Sequence, residues 1–94
     1  MDKEEAFQIL QRQLEPWRRR SYAELARQID QASRFEIVGE SGIWYQGDVR
    51  AFWDGKPGGA IRVIAAIDAG GWRAYFPLTD DFILGPDGTF IDEQ

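Results

Sequence analysis

Neither cysteine nor histidine occurs among the 94 residues. Without cysteine there is no disulfide to staple a small core and no thiolate nucleophile, which suits a reducing compartment. The absence of histidine removes histidine-based triads, and the two absences together remove the common structural zinc sites. Carboxylates, two lysines, three tyrosines and hydroxyls are left for acid and base work. No apolar run is long enough for a signal peptide or a membrane span, and the opening MDKEEAF is charged. A cytoplasmic protein with no membrane association is therefore expected. No catalytic residue, metal site or cofactor is assigned.

What the chain does have is 44% apolar and 14% aromatic residues, enough for one domain spanning residues 1–94. A chain of this length buries roughly 60 to 65% of its unfolded surface, so the core is small. The net charge of -5 is uneven: residues 1–34 are slightly basic and residues 35–94 strongly acidic. An acidic sheet region argues against nucleic acid as a partner, because phosphate contacts need Lys and Arg to displace counterions. The run Arg18, Arg19, Arg20 reads as a solvated link, or as partners for nearby carboxylates.

The stretch from Gly42 to Leu78 holds three of the four tryptophans and reads as a three-stranded antiparallel meander. Strand side chains alternate between faces. Ile43, Tyr45, Val49, Ala51 and Trp53, then Ile61, Val63, Ala65 and Ile67, give an odd-numbered core face. In the third segment the parity switches to Trp72, Ala74, Phe76 and Leu78. A Gly70-Gly71 turn would account for the switch, pairing Ala69 with Trp72, Ile67 with Ala74, Ala65 with Phe76 and Val63 with Leu78. The same register sets Asp68 opposite Arg73. Pro77 cannot donate to a ladder, so this strand is expected to lie at an edge or to end there.

Upstream, Asp2 to about Leu14 reads as a helix with Phe7, Leu10 and Leu14 on one stripe, extended by Ala6 and Ile9. Pro16 is expected to end it at Glu15, and Trp17 to follow as a core anchor. Ser21 and Glu24 form a capping box before Tyr22, Leu25, Ala26 and Ile29, a second helix fading around Gln31 to Ser33. Phe35, Ile37 and Val38 suggest a short strand, with Gly39 and Gly42 turning the chain into the meander. DGKPGG, after Trp53, reads as a hairpin connection and not a phosphate loop, since a strand follows where a P-loop needs Ser or Thr and a helix. Phe82, Ile83 and Leu84 form a further strand, and the Pro86-Asp87-Gly88 turn returns Thr89, Phe90 and Ile91 as a hairpin arm.

The order ααββββ(β) predicts an α+β fold, with two N-terminal helices packed on one face of a four- to five-stranded antiparallel sheet. Small helix-over-curved-sheet folds of the cystatin or nuclear-transport-factor type are similar in outline. That likeness is architectural, with no residue motif behind it.

Asp48 and Asp68, on neighbouring predicted strands, are candidates for a carboxylate pair that cleaves a glycosidic bond, although Arg50 and Arg73 offer each an ordinary ion-pair partner. Asp80, Asp81 and Asp87 lack the spacing of a calcium loop. The even-numbered face of the meander stands out more: Trp44, Phe52, Ile64 and Tyr75 sit among Gln46, Asp48, Arg50, Arg62 and Arg73. Trp, Tyr and Arg are enriched at interfaces, and arginine stacks on rings. The expected function is accordingly a non-enzymatic interaction module, binding a second copy or another protein through Trp44, Gln46, Arg50, Phe52, Ile64, Arg62, Arg73 and Tyr75. The alternatives are a small-ligand pocket or modest enzyme near Tyr45, Trp53 and Trp72, and an acidic inhibitor or immunity-type protein docking through Asp80 and Asp81.

Overall fold

The computed structural model describes residues 1–70 and 77–91. Helix α1 spans Lys3–Arg18, and the Asp2 carboxylate caps it by accepting from the Glu5 amide at 3.0 Å. Glu4 and Glu5 in the first turn complement the positive end of the helix dipole. The helix does not stop at Glu15. Pro16 lies in its last turn, where the missing proline N–H would have met the Arg12 carbonyl. Both residues are exposed, so water can satisfy that carbonyl, and Trp17 beyond them is buried to 7% exposure and anchors the turn. Including Trp17 moves the buried stripe onto Ala6, Ile9, Leu10, Leu14 and Trp17. Phe7, expected in the core, is 39% exposed at its margin.

Helix α2 is only Tyr22–Ala26, shorter than the spacing implied, although its capping box forms as expected. Ser21 Oγ accepts from the Glu24 amide, and Glu24 Oε1 accepts from the Ser21 amide, both at 3.1 Å. The sheet captures the chain before the helix can continue. Ile29 bridges Ala51, the Asp30 amide donates to the Ala51 carbonyl at 3.0 Å, and Asp30 takes a φ of 65°. Aspartate tolerates that left-handed conformation better than most residues.

Five strands follow: β1 Ala32–Val38, β2 Trp44–Trp53, β3 Ile61–Asp68, β4 Leu78–Leu84 and β5 Phe90–Ile91. They form one antiparallel meander in the order β1-β2-β3-β4-β5, which is the α+β architecture expected. The odd-numbered face of β2 and β3 is the buried one: Tyr45, Val49, Ala51, Ile61, Val63, Ala65 and Ile67 are all at most 2% exposed. They pack with the α1 stripe, Leu25, Phe82 and Leu84 into one core.

The strand following β3 needs a correction. The ladder against β3 is made by residues 78–84, so Val63 faces Phe82 and Leu78 faces Ile67, not Val63. Pro77 has no N–H, and the ladder opens only after it. The parity that buries Phe82 and Leu84 then sets Asp80 across from the small Ala65. Ile67 and Ala65 likewise have Leu78 and Asp80 across from them, in place of the expected Ala74 and Phe76. The expected pairs of Ala69 with Trp72 and of Asp68 with Arg73 fall on residues 71–76, outside the described residues.

The gap in the odd apolar series at Gly47 also has a cause. A Cβ there would meet the Ala66 carbonyl oxygen at 2.1 Å and the Phe35 ring at 2.4 Å, so Phe35 of β1 fills the space a side chain would take.

Candidate functional site

The two faces of the sheet are unequal. Both helices lie on the odd-numbered side, and no described element lies over the even-numbered side of β1, β2 and β3, where no residue is buried. This face was singled out by its rings and arginines, and its geometry divides it into three zones. At one end Trp44 pairs with Val38, and these are 43% and 67% exposed. At the other end Phe52 pairs with Arg62 and Arg62 with Ile83, which in turn faces Ile91 on β5. Between them lie Gln46, Asp48, Arg50, Asp68, Arg34 and Glu36.

Arg50 and Arg62 on this face bind carboxylates, and among the described residues neither stacks on a ring. Arg50 Nη2 lies 3.1 Å from Asp48 Oδ2, the i, i+2 pair anticipated from the sequence. Arg62 bonds Asp54 at 2.8 Å and also Asp81, so one guanidinium joins the β2–β3 turn to β4. Those partners, Asp54 first, hold the Arg62 pKa above its ordinary value. The cation-π contacts among the described residues belong to the arginine run instead: Arg18 lies 5.0 Å from the Phe82 ring centre and Arg20 3.9 Å from that of Trp17. Arg19 pairs with Glu15, and Arg20 also donates to Gln28 at 2.6 Å. The run therefore ties the end of α1 to its surroundings.

Of the expected binding residues, Arg50, Ile64, Phe52 and Arg62 are brought together on adjacent rungs of β2 and β3. Trp44 lies at the far end of β2, beyond the polar middle zone. Arg73 and Tyr75 fall outside the described residues. Val38, Ile83 and Ile91 share the face without having been singled out. The alternation in Phe82-Ile83-Leu84 carried a signal for Ile83, since burying Phe82 and Leu84 turns Ile83 outward.

Asp80 and Asp81 do not form one acidic patch, because neighbouring strand residues point to opposite faces. Asp81 binds Arg62 on the even face, while Asp80 accepts from the Asp81 amide at 2.9 Å. Asp48 and Asp68 both line a shallow groove of about 380 Å³ beside Arg34, Glu36 and Pro77. Each already has a donor: Arg50 for Asp48, and Gln46 at 3.0 Å and the Gly70 amide at 2.8 Å for Asp68.

A second groove of about 360 Å³ separates α1 from β1, lined by Gln8, Ile9, Arg12, Ile37 and Val38 among others. Tyr45 and Trp53 line neither groove. The Tyr45 ring is fully buried, and Trp53 packs against Tyr22 with ring centres 6.4 Å apart. Among the described residues no group of three or more carboxylates is placed to hold a metal ion, and no helix is long and apolar enough to cross a membrane.

Comparison with protein-family models, with curated proteins and with solved structures finds no match.

Proposed function

We propose that the chain is a non-enzymatic interaction module that docks a folded protein against its uncovered sheet face. The observation that carries the reading is that the described residues cover the sheet on one side: helices seal the odd-numbered face, while Trp44, Val38, Phe52, Ile64 and Ile83 remain at least partly accessible on the other. The chemistry of that face favours a protein over a highly charged ligand. Arg50 and Arg62 are already neutralised by Asp48, Asp54 and Asp81, so little uncompensated charge is offered to a phosphate backbone. The aromatic and aliphatic groups at its two ends, Trp44 with Val38 and Phe52 with Ile83, are of the kinds found in protein interfaces, and the polar zone between them can exchange hydrogen bonds with a protein partner.

A photo-crosslinking side chain placed at Arg50, on the uncovered face, is compared in cells with one at Gln11, on the exposed side of α1. Crosslinked product from position 50 that disappears when Trp44→Ser is added supports the reading. Equal product from both positions, or none from position 50, overturns it.

A further inference from the structure

Among the described residues no strand pairs with the outer edge of β1, which is seven residues long. Its hydrogen-bonding parity follows from the turn that precedes β2. The Gly39 amide donates to the Ile43 carbonyl at 2.8 Å, and β1 pairs Ile37 with Tyr45, Phe35 with Gly47 and Ser33 with Val49. In an antiparallel ladder, bonded and non-bonded pairs alternate, so these odd-numbered residues turn their amides and carbonyls toward β2. Those of Ala32, Arg34, Glu36 and Val38 point away from the sheet. Such a row is a template for a further strand.

Side chains on this edge say which strand fits. Arg34 lies across from Asp48, but Arg50 takes that carboxylate. Glu36 lies across from Gln46, whose amide donates to Asp68. Among the described residues Arg34 and Glu36 are therefore exposed charges of opposite sign with no partner, two positions apart on one face. On the other face of β1, Phe35 and Ile37 are only half-buried and continue the core up to the edge, Ile37 also lining the groove beside α1.

We infer that the chain forms a two-fold dimer by antiparallel pairing of β1 with β1 of a second copy, centred on Phe35. Two-fold symmetry requires residues directly opposite to share a face, so the axis must pass a residue position. Centring on Phe35 pairs the whole strand, Ala32 with Val38 and Ser33 with Ile37, and sets each Arg34 opposite the other copy's Glu36. Centring on Arg34 or on Glu36 instead opposes like charges, which is destabilising. Centring on Ser33 or on Ile37 avoids that repulsion but pairs only three residues of the strand, so charge and paired length together select the register. The product is a continuous ten-stranded sheet in which Phe35 and Ile37 of both copies meet between the two α1 helices. The even-numbered faces join into one surface, and the inference holds whether or not a further protein docks there.

Sedimentation equilibrium across a concentration series tests it with four variants. The wild-type chain should reach twice its 10.8 kDa mass. Arg34→Glu and Glu36→Arg should each weaken dimerisation at least tenfold, and the two together should restore it, since the swapped charges again face each other. Glu36→Pro removes a donor that points away from β2, so it should abolish the dimer while leaving the monomer's circular dichroism and melting temperature close to wild type. If Glu36→Pro fails to fold, the charge-swap series alone decides. A wild-type chain monomeric up to millimolar concentration overturns the inference. So does a dimer indifferent to both single reversals, or one dissolved by Trp44→Ser and not by the edge variants.

Discussion

The Tyr45 hydroxyl donates to Glu5 Oε1 at 2.9 Å, joining the first turn of α1 to the sheet across 40 residues of chain. The same carboxylate accepts from the Ser41 hydroxyl at 2.6 Å and the Ser41 amide at 3.0 Å, and Gly39 leaves room for it, since a Cβ there would come within 2.4 Å of Glu5 Oε1. One carboxylate thus fixes the β1–β2 turn beneath the helix start.

The pH dependence of stability should show both ends of this contact. Ser41, by its hydroxyl and then its amide, holds the Glu5 carboxyl below its ordinary 4.5, with Tyr45 adding to the effect. Stability from this carboxylate is present above pH 4.5 and is lost as pH falls through the lower folded-state value. Burial, and then the bond to Glu5, push the Tyr45 phenol from 10.0 up to about 12. Its contribution is complete below pH 10 and is lost as pH rises toward 12. In urea titrations the gap between wild type and Glu5→Gln should shrink below pH 4.5, and Tyr45→Phe should lose less stability than wild type between pH 10 and 12. Parallel pH curves for wild type and both variants would contradict the assignment.

The close contact at Gly47 makes a prediction about packing. Gly47→Ala drives a methyl into the Ala66 carbonyl and the Phe35 ring. Overpacking of this kind costs about 1 to 3 kcal/mol. Adding Phe35→Ala should recover part of that loss and not all of it, because the backbone oxygen remains. A Gly47→Ala chain as stable as wild type would show that the strand shifts freely.

The contrast between Phe7 and Leu10 explains which parts of the fold the sequence could carry. Alternation through β2 and β3 was legible because the odd positions are apolar from Tyr45 to Trp53, Gly47 excepted, and from Ile61 to Ile67, while every charged residue in these strands is even-numbered. The Ser21–Glu24 cap was legible because its chemistry is local. Other features depend on partners distant in sequence. Phe7, Leu10 and Leu14 make a sound helical stripe by themselves, and only Trp17, lying beyond a proline that normally stops a helix, moves the buried side toward Ala6 and Ile9. Two apolar alternations, 72–78 and 78–84, competed for the place beside β3, and local pattern could not rank them. On the even face the residue types and the local Arg50–Asp48 pair were readable, but the partners of Arg62 were not, because it draws its two acids from the β2–β3 turn and from β4. The free edge of β1 was invisible until strand order was known.

That shift in the stripe can be measured. Leu10→Ala and Leu14→Ala, each removing a fully buried side chain, should cost about 2 to 5 kcal/mol in chemical denaturation. Phe7→Ala, at the exposed margin, should cost about 1 kcal/mol or less. Equal losses at positions 7 and 10 would restore the stripe that the spacing alone suggested.

Arg62 offers a test of how the uncovered face is held. Its guanidinium links Asp54 to Asp81 with about a third of each side chain accessible, so water and salt screen both contacts. Exposed pairs of this kind contribute on the order of 0.2 to 1 kcal/mol, and a shared arginine makes the two coupled. Asp54→Asn and Asp81→Asn should each be mild, and the losses should not add, because the remaining acid keeps the guanidinium in place. Arg62→Met should match the double acid variant, and 1 M salt should bring wild type and all four variants toward a common stability. If the two acid substitutions add fully and salt changes nothing, the arginine is not acting as a bridge, and the order of this end of the face comes from Phe52, Ile64 and Ile83 alone.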